Sequence, residues 1–149
     1  MIPTMTWVRC VAAWVKMLVD TSVWVALLRG RDTPHSRMLR EILLNDEAAL
    51  CPAILQELVQ GARDMQALET LKARFTRLPM LEQTMDAHIL AAELYARCRW
   101  RGVTIRSPHD CLIAALAIEH GTTLLQSDRD FDRIASVEPS LLLWRPEAG

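Results

Sequence analysis

Met17-Leu18-Val19-Asp20-Thr21-Ser22 decides the fold. Three apolar residues make a short buried strand that ends at an aspartate, and the following residues predict a helix over Thr21–Leu28, ended by Gly30. Outward from there, Ser36–Leu44 predicts a helix and Ala48–Cys51 a short strand. Pro52 suits a helix start, and Ala53–Arg63 continues the helix. Helical spacing returns over Met65–Phe75, Met85–Arg99 and Ser107–His120; Thr122–Gln126 follows as a strand, Phe131–Ser136 as a short helix and Leu141–Trp144 as a candidate last strand. Strands alternating with helices predict an α/β fold with a mainly parallel sheet covered on both faces.

A chain of 149 residues, 51% of them hydrophobic, suits one domain with a sizeable core. With 18 acidic and 17 basic residues the formal charge is −1, so nothing global attracts nucleic acid and a polyanion would need a local basic patch. Apart from Lys16 and Lys72 the basic residues are arginine, the better side chain for bidentate phosphate contacts. Cys10, Cys51, Cys98 and Cys111 form no Cys-x-x-Cys unit and read as buried reduced thiols, and the four histidines are equally scattered. Arg9, Lys16 and Asp20 interrupt the apolar run from Trp7 to Leu28 before it reaches the ~20 residues of a membrane span, and Val11–Val15 is too short a signal-peptide core. The expected location is cytoplasmic, with no membrane partner. Residues 1–16 read as an N-terminal extension, dispensable or packed through Trp7 and Trp14, ahead of a domain over 17–149.

Asp20 and Asp128 follow two strands of one parallel sheet, the edge at which open α/β sheets gather ligand-binding groups. Glu57 falls at the border of the apolar stripe Ile54, Leu55, Leu58, Val59 and Ala62, with Gly61 one turn on. Asp110 opens a helix that is apolar all round and therefore buried. Taken singly, Asp20 and Asp128 also read as helix caps, and Ser107-Pro108-His109-Asp110 as a capping box. Taken together, four acids at element ends, expected to have no nearby lysine or arginine, repel one another unless a cation joins them. Hard oxygen donors without Cys or His point to Mg²⁺ or Mn²⁺ and away from zinc.

The segments Met17-Leu-Val-Asp20-Thr21-Ser22, Leu55-Gln-Glu57-Leu-Val-Gln-Gly61, Arg106-Ser-Pro-His-Asp110-Cys-Leu-Ile-Ala-Ala-Leu-Ala and Ser127-Asp128-Arg-Asp130-Phe131 resemble the four motifs of the PIN-domain family, in order, over Met17 to about Trp144. The likeness is greatest to the VapC toxins of bacterial toxin–antitoxin pairs. The resemblance implies a three-layer α/β/α sandwich, an Mg²⁺- or Mn²⁺-dependent endoribonuclease, a homodimer and inhibition by a small VapB antitoxin. It makes Asp20, Glu57, Asp110 and Asp128 the catalytic and metal-binding quartet, with Asp130 as an auxiliary acid and Thr21 or Ser22 as the hydroxyl after the first acid. His109 stands where relatives often carry another polar residue, a departure given little weight.

For RNA contact the sequence offers Arg97, Arg99 and Arg101 around Trp100 at a helix end, with Arg106 close behind. Arginines beside an aromatic bind phosphate and stack a base, although cations at a helix C-terminus are also favoured by its dipole. Competing readings are a catalytically silent PIN-like binding module and a structure-specific DNA nuclease. An aspartyl-phosphate phosphatase is excluded, because Ser22 stands where its second aspartate belongs.

Overall fold

A computed structural model describes residues 17–148, so the expectations for the N-terminal extension lie outside the described residues. The elements run β1 (Met17–Val19), α1 (Thr21–Leu28), α2 (Pro34–Leu44), β2 (Ala48–Ala49), α3 (Pro52–Gln60), α4 (Met65–Phe75), α5 (Met85–Trp100), α6 (Pro108–Glu119), β3 (Thr123–Leu125) and α7 (Arg129–Val137). All three strands are parallel in the order β2-β1-β3, with Leu18 opposite Ala49 on one side and Leu124 on the other. Leu18, Val19, Ala49, Leu124 and Leu125 have no exposed surface. A sheet buried on both faces needs helices on both, which gives the α/β/α layering. One helical group is α5, α6 and α7, the other is α1 to α4, and α3 also touches α6.

Strand lengths depart from the sequence reading. Beyond Ala49 only Leu50 continues, in a single bridge to Met80, and Leu141–Trp144 contributes one bridge, Leu124 to Leu143, without forming a strand. Two helices start earlier than their apolar periodicity because a cap precedes them. Thr33 and Ser36 form a reciprocal capping box before α2, and Asp128 caps α7. At α6 the expected capping box is not made, since Ser107 gives no side-chain cap and Asp110 meets it only through the backbone, N–H to Ser107 O at 3.1 Å.

Helix α6 is the central plank. Cys111 to Ala117 are buried without interruption, so the helix packs on every side and carries Asp110 on its first turn. Gly121, at φ +60°, reverses the chain directly into β3, a conformation that side chains with a Cβ rarely adopt. Trp24 locks α1 to the sheet, its indole N–H donating to Val19 O at 3.2 Å while its ring meets Phe75 edge-on. Among the described residues no helix is long and apolar enough to cross a membrane.

Candidate functional site

Strand β1 is central, with the chain leaving it towards β2 on one side and β3 lying on the other, so its carboxyl end is a switch point where a crevice opens. Asp20 stands there, its N–H donating to Leu125 O at 2.9 Å, which ties it to the end of β3 and brings the 126–130 segment alongside. A cavity of about 570 Å³ lies over this edge, lined by Thr21, Glu57, Gln60, Arg106, Ser107, His109, Asp110, Asp128 and Asp130.

Asp20 is 5% exposed and sits behind the cavity wall. Its carboxylate accepts from Ser22 N–H at 3.0 Å and Ser22 Oγ–H at 2.6 Å, while Ser22 Oγ accepts the Ser127 N–H. Burial raises the Asp20 pKa, with the Ser22 hydrogen bonds pulling the other way. Glu57 accepts the Thr21 hydroxyl at 2.6 Å and meets His109 Nδ1 at 3.0 Å. The two hydroxyls after the first acid thus have separate tasks, Thr21 serving Glu57 and Ser22 serving Asp20.

Asp110 differs from both. No hydrogen bond reaches its carboxylate among the described residues, and its pKa is pushed up to about 7, first by burial and then by the charges of Asp20, Asp128, Asp130 and Glu57. The oxygens that come close enough to share one ion, all within 4.8 Å of one another, belong to Asp110, Asp128 and Asp130. Asp130, assigned an auxiliary place from sequence, is a fully buried member of this group, whereas Asp20 and Glu57 stand outside it and act on Asp110 through their charge.

The expectation that no cation neutralises the acids is overturned. Arg106 reaches Asp130 Oδ2 through Nε at 3.3 Å and Asp128 Oδ1 through Nη2 at 3.1 Å, and Arg133 reaches Asp130 Oδ1 at 3.2 Å. Asp130 also accepts the Arg106 N–H. Asp128 is both a helix cap, through the Asp130 N–H at 3.0 Å, and a member of the acidic group, so the two sequence readings of that residue are compatible. Arg97 is engaged elsewhere, in an ion pair with Glu138 at 3.0 Å and a hydrogen bond to Val137 O. Arg99, Trp100 and Arg101 are exposed at the end of α5 and line none of this cavity.

Three participants were missed in the sequence. His109, which the sequence marks only as a departure from the family pattern, meets Glu57, and Arg133, one turn after Asp130, pairs with it. Gln60, one turn after Glu57, also faces the cavity. Cys51 and Cys111 are buried, which lifts their thiols to about 11 and about 12 and leaves them un-ionised and inert.

The PIN domain profile matches residues 17–137. Ribonuclease VapC11 of Mycobacterium tuberculosis is 38% identical over 125 residues, 81% of this chain and 92% of the relative. Ribonuclease VapC1 of Rickettsia felis is 31% identical over 134 residues, 82% of this chain and 92% of the relative. Among solved structures, the DNA-bound VapBC2 complex of Rickettsia felis superposes with a TM-score of 0.68 at 22% identity, covering 87% of this chain and 98% of that one. VapBC-1 of nontypeable Haemophilus influenzae gives 0.68 at 17% identity, covering 87% and 97%.

Proposed function

Since the chain belongs to the PIN-domain family, with VapC ribonucleases among its relatives, we propose that it is a metal-dependent endoribonuclease, the toxin of a VapBC-type pair. The observation that carries this reading is the state of Asp110: a carboxylate lifted to about 7, without a hydrogen-bond donor, beside two other carboxylates within 4.8 Å. A group so placed is completed by a cation, and an all-oxygen donor set favours Mg²⁺ or Mn²⁺. Asp110, Asp128 and Asp130 would hold the ion, with Asp20 adding negative charge from behind. Bound there, it would neutralise charge on the scissile phosphate and lower the pKa of a water.

The protein's own groups have distinct tasks. Thr21 and His109 fix the two oxygens of Glu57, so its carboxylate is held in one orientation to accept a hydrogen bond from the attacking water. Arg106, at the cavity wall with a largely exposed side chain, is placed to meet a phosphate oxygen with its guanidinium. Arg99, Trp100 and Arg101 offer an exposed basic and aromatic patch for the flanking strand. Several relatives are solved as VapBC complexes, and the partners proposed for this chain are a VapB-like antitoxin and a second copy of itself.

Purified protein should cleave RNA when Mn²⁺ or Mg²⁺ is supplied and stop when EDTA removes it. Unchanged cleavage in EDTA would refute the metal reading, and no cleavage with either ion would leave a silent binding module as the correct description.

A further inference from the structure

A second recess, of about 220 Å³, meets the acidic cavity at Asp128, which lines both. Gln126, 4% exposed, is among its lining residues. The Gln126 Oε1 accepts the Asp128 N–H at 2.6 Å, and because a backbone N–H only donates, the oxygen side of the amide is fixed. The Gln126 NH₂ is left without a partner among the described residues. Gln126 lines the recess, so its side chain is reached from there.

One wall is aromatic: Trp144 and His35 meet edge to face at 5.1 Å between centroids. Burial lowers the His35 pKa, which keeps that ring neutral near pH 7. The exposed Arg129 and the Ser127 hydroxyl stand at the mouth with no ion pair or hydrogen bond among the described residues, and the Arg145–Asp132 pair, 2.7 Å apart, adds to the rim. The Ser127 N–H is held by Ser22, which also holds Asp20, so the recess is anchored to the catalytic edge.

An aromatic face, a buried directional donor and a free guanidinium are what recognition of a single-stranded nucleotide requires, namely stacking, base-edge hydrogen bonding and phosphate contact. A volume of about 220 Å³ is below the range of drug-sized ligand sites, roughly 300–1,000 Å³, and suits one base. We propose that this recess is a nucleotide subsite, taking the base of an RNA nucleotide flanking the scissile phosphate against Trp144, with Gln126 donating to the base edge and Arg129 to the phosphate. The assignment of that nucleotide to an RNA substrate rests on the ribonuclease reading.

The four nucleoside 5′-monophosphates, titrated into the full chain in EDTA and followed by ¹H–¹⁵N NMR, test the subsite apart from catalysis. Saturable shifts of the Gln126 side-chain NH₂ and Trp144 indole N–H are expected, differing among the four bases, with Arg129→Ala weakening binding roughly tenfold. In Mn²⁺-dependent cleavage, Trp144→Ala should raise KM roughly tenfold with kcat little changed, and Trp144→Phe should restore it. Arg129 is exposed, so Arg129→Ala reports even if Trp144→Ala fails to fold. Absence of shifts at Gln126 and Trp144, or RNA cleavage whose KM is indifferent to Arg129→Ala and Trp144→Ala, overturns the subsite while the ribonuclease reading stands. Nucleotide binding at the recess in a protein that cuts no RNA would sink the ribonuclease reading and keep the subsite.

Discussion

The charge of Asp20 raises the cost of ionising Asp110 across one edge of the sheet, yet the fold supports the two acids differently. Asp20 is more deeply buried and receives two hydrogen bonds from Ser22, two residues away. Asp110, on a different helix, receives none among the described residues and has its pKa lifted to about 7. A buried acid that its own turn satisfies needs nothing from outside. One that the chain leaves unsatisfied beside other carboxylates is relieved either by taking up a proton or by a cation.

The largest effect expected from this contrast is on cleavage and on metal binding together. Asp110→Asn should lower RNA cleavage by at least roughly 100-fold, since changing even outer partners of a metal site typically weakens it 10- to 100-fold. Mn²⁺ at one hundred times its dissociation constant should stabilise the wild-type fold by about 2.7 kcal/mol and the variant much less. A control at Glu69, exposed on α4 beside Lys72, should keep the full thermal shift. Equal shifts in all three proteins would mean that the acids form no common site.

Metal-free stability separates the two aspartates in the other direction. Asp20→Ala removes a helix cap that accepts from Ser22, a loss of about 1 kcal/mol. Asp110→Ala removes no hydrogen bond and relieves repulsion. In EDTA the Asp110 variant should therefore melt higher than the Asp20 variant, by about 2–4 °C for each kcal/mol in a chain of this size. The reverse order would assign the structural role to Asp110.

A smaller effect, screened by solvent because Asp110 is partly exposed, is its pH dependence. The folded-state pKa lies above the unfolded one, so between about 4 and about 7 the folded state binds the extra proton. Stability of the metal-free protein attributable to this group is present at low pH and is lost as pH rises through about 7. Thermal melts in EDTA should show wild type losing more stability over that interval than Asp110→Asn; parallel curves would show that the group is not perturbed.

The same contrast marks how far the site was legible in sequence. Features set by neighbours along the chain were readable: the β1 strand, the all-apolar α6, and aspartates at strand ends that also cap helices. The motifs grouped Asp20, Glu57, Asp110 and Asp128, whereas the carboxylate oxygens within 4.8 Å of one another belong to Asp110, Asp128 and Asp130. What could not be read was made by contacts across the fold. Glu57 and His109 are 52 positions apart, Arg106 and Asp130 are 24 apart, and no periodicity links either pair. The pairing of Arg133 with Asp130 was legible, since i and i+3 on a helix are neighbours. The membership of Asp130 was hidden because burial of a charged side chain is decided by the arginines that come to meet it. The thin β2 and the missing last strand failed for another reason: apolar runs of four residues are buried equally well as single bridges.

The smallest expected effect compares the arginines at the end of α5, which the sequence grouped and the structure divides. Arg97 is three-quarters buried and bound to Glu138 and Val137 O, so it joins α5 to the end of α7. Arg99 and Arg101 are exposed and make no ion pair among the described residues. Arg97→Ala should accordingly lower the melting temperature and leave RNA affinity at fixed salt nearly unchanged. Changing Arg99 and Arg101 together should do the opposite. Each phosphate contact on a single strand adds about 0.7 to the slope of log affinity against log salt, so losing two should flatten that slope by about 1.4. Binding isotherms in EDTA at several salt concentrations measure this without cleavage. If the slope is unaltered in the double variant and falls in Arg97→Ala, the strand crosses the protein over the α5–α7 seam, and the free cations at the helix end serve only its dipole.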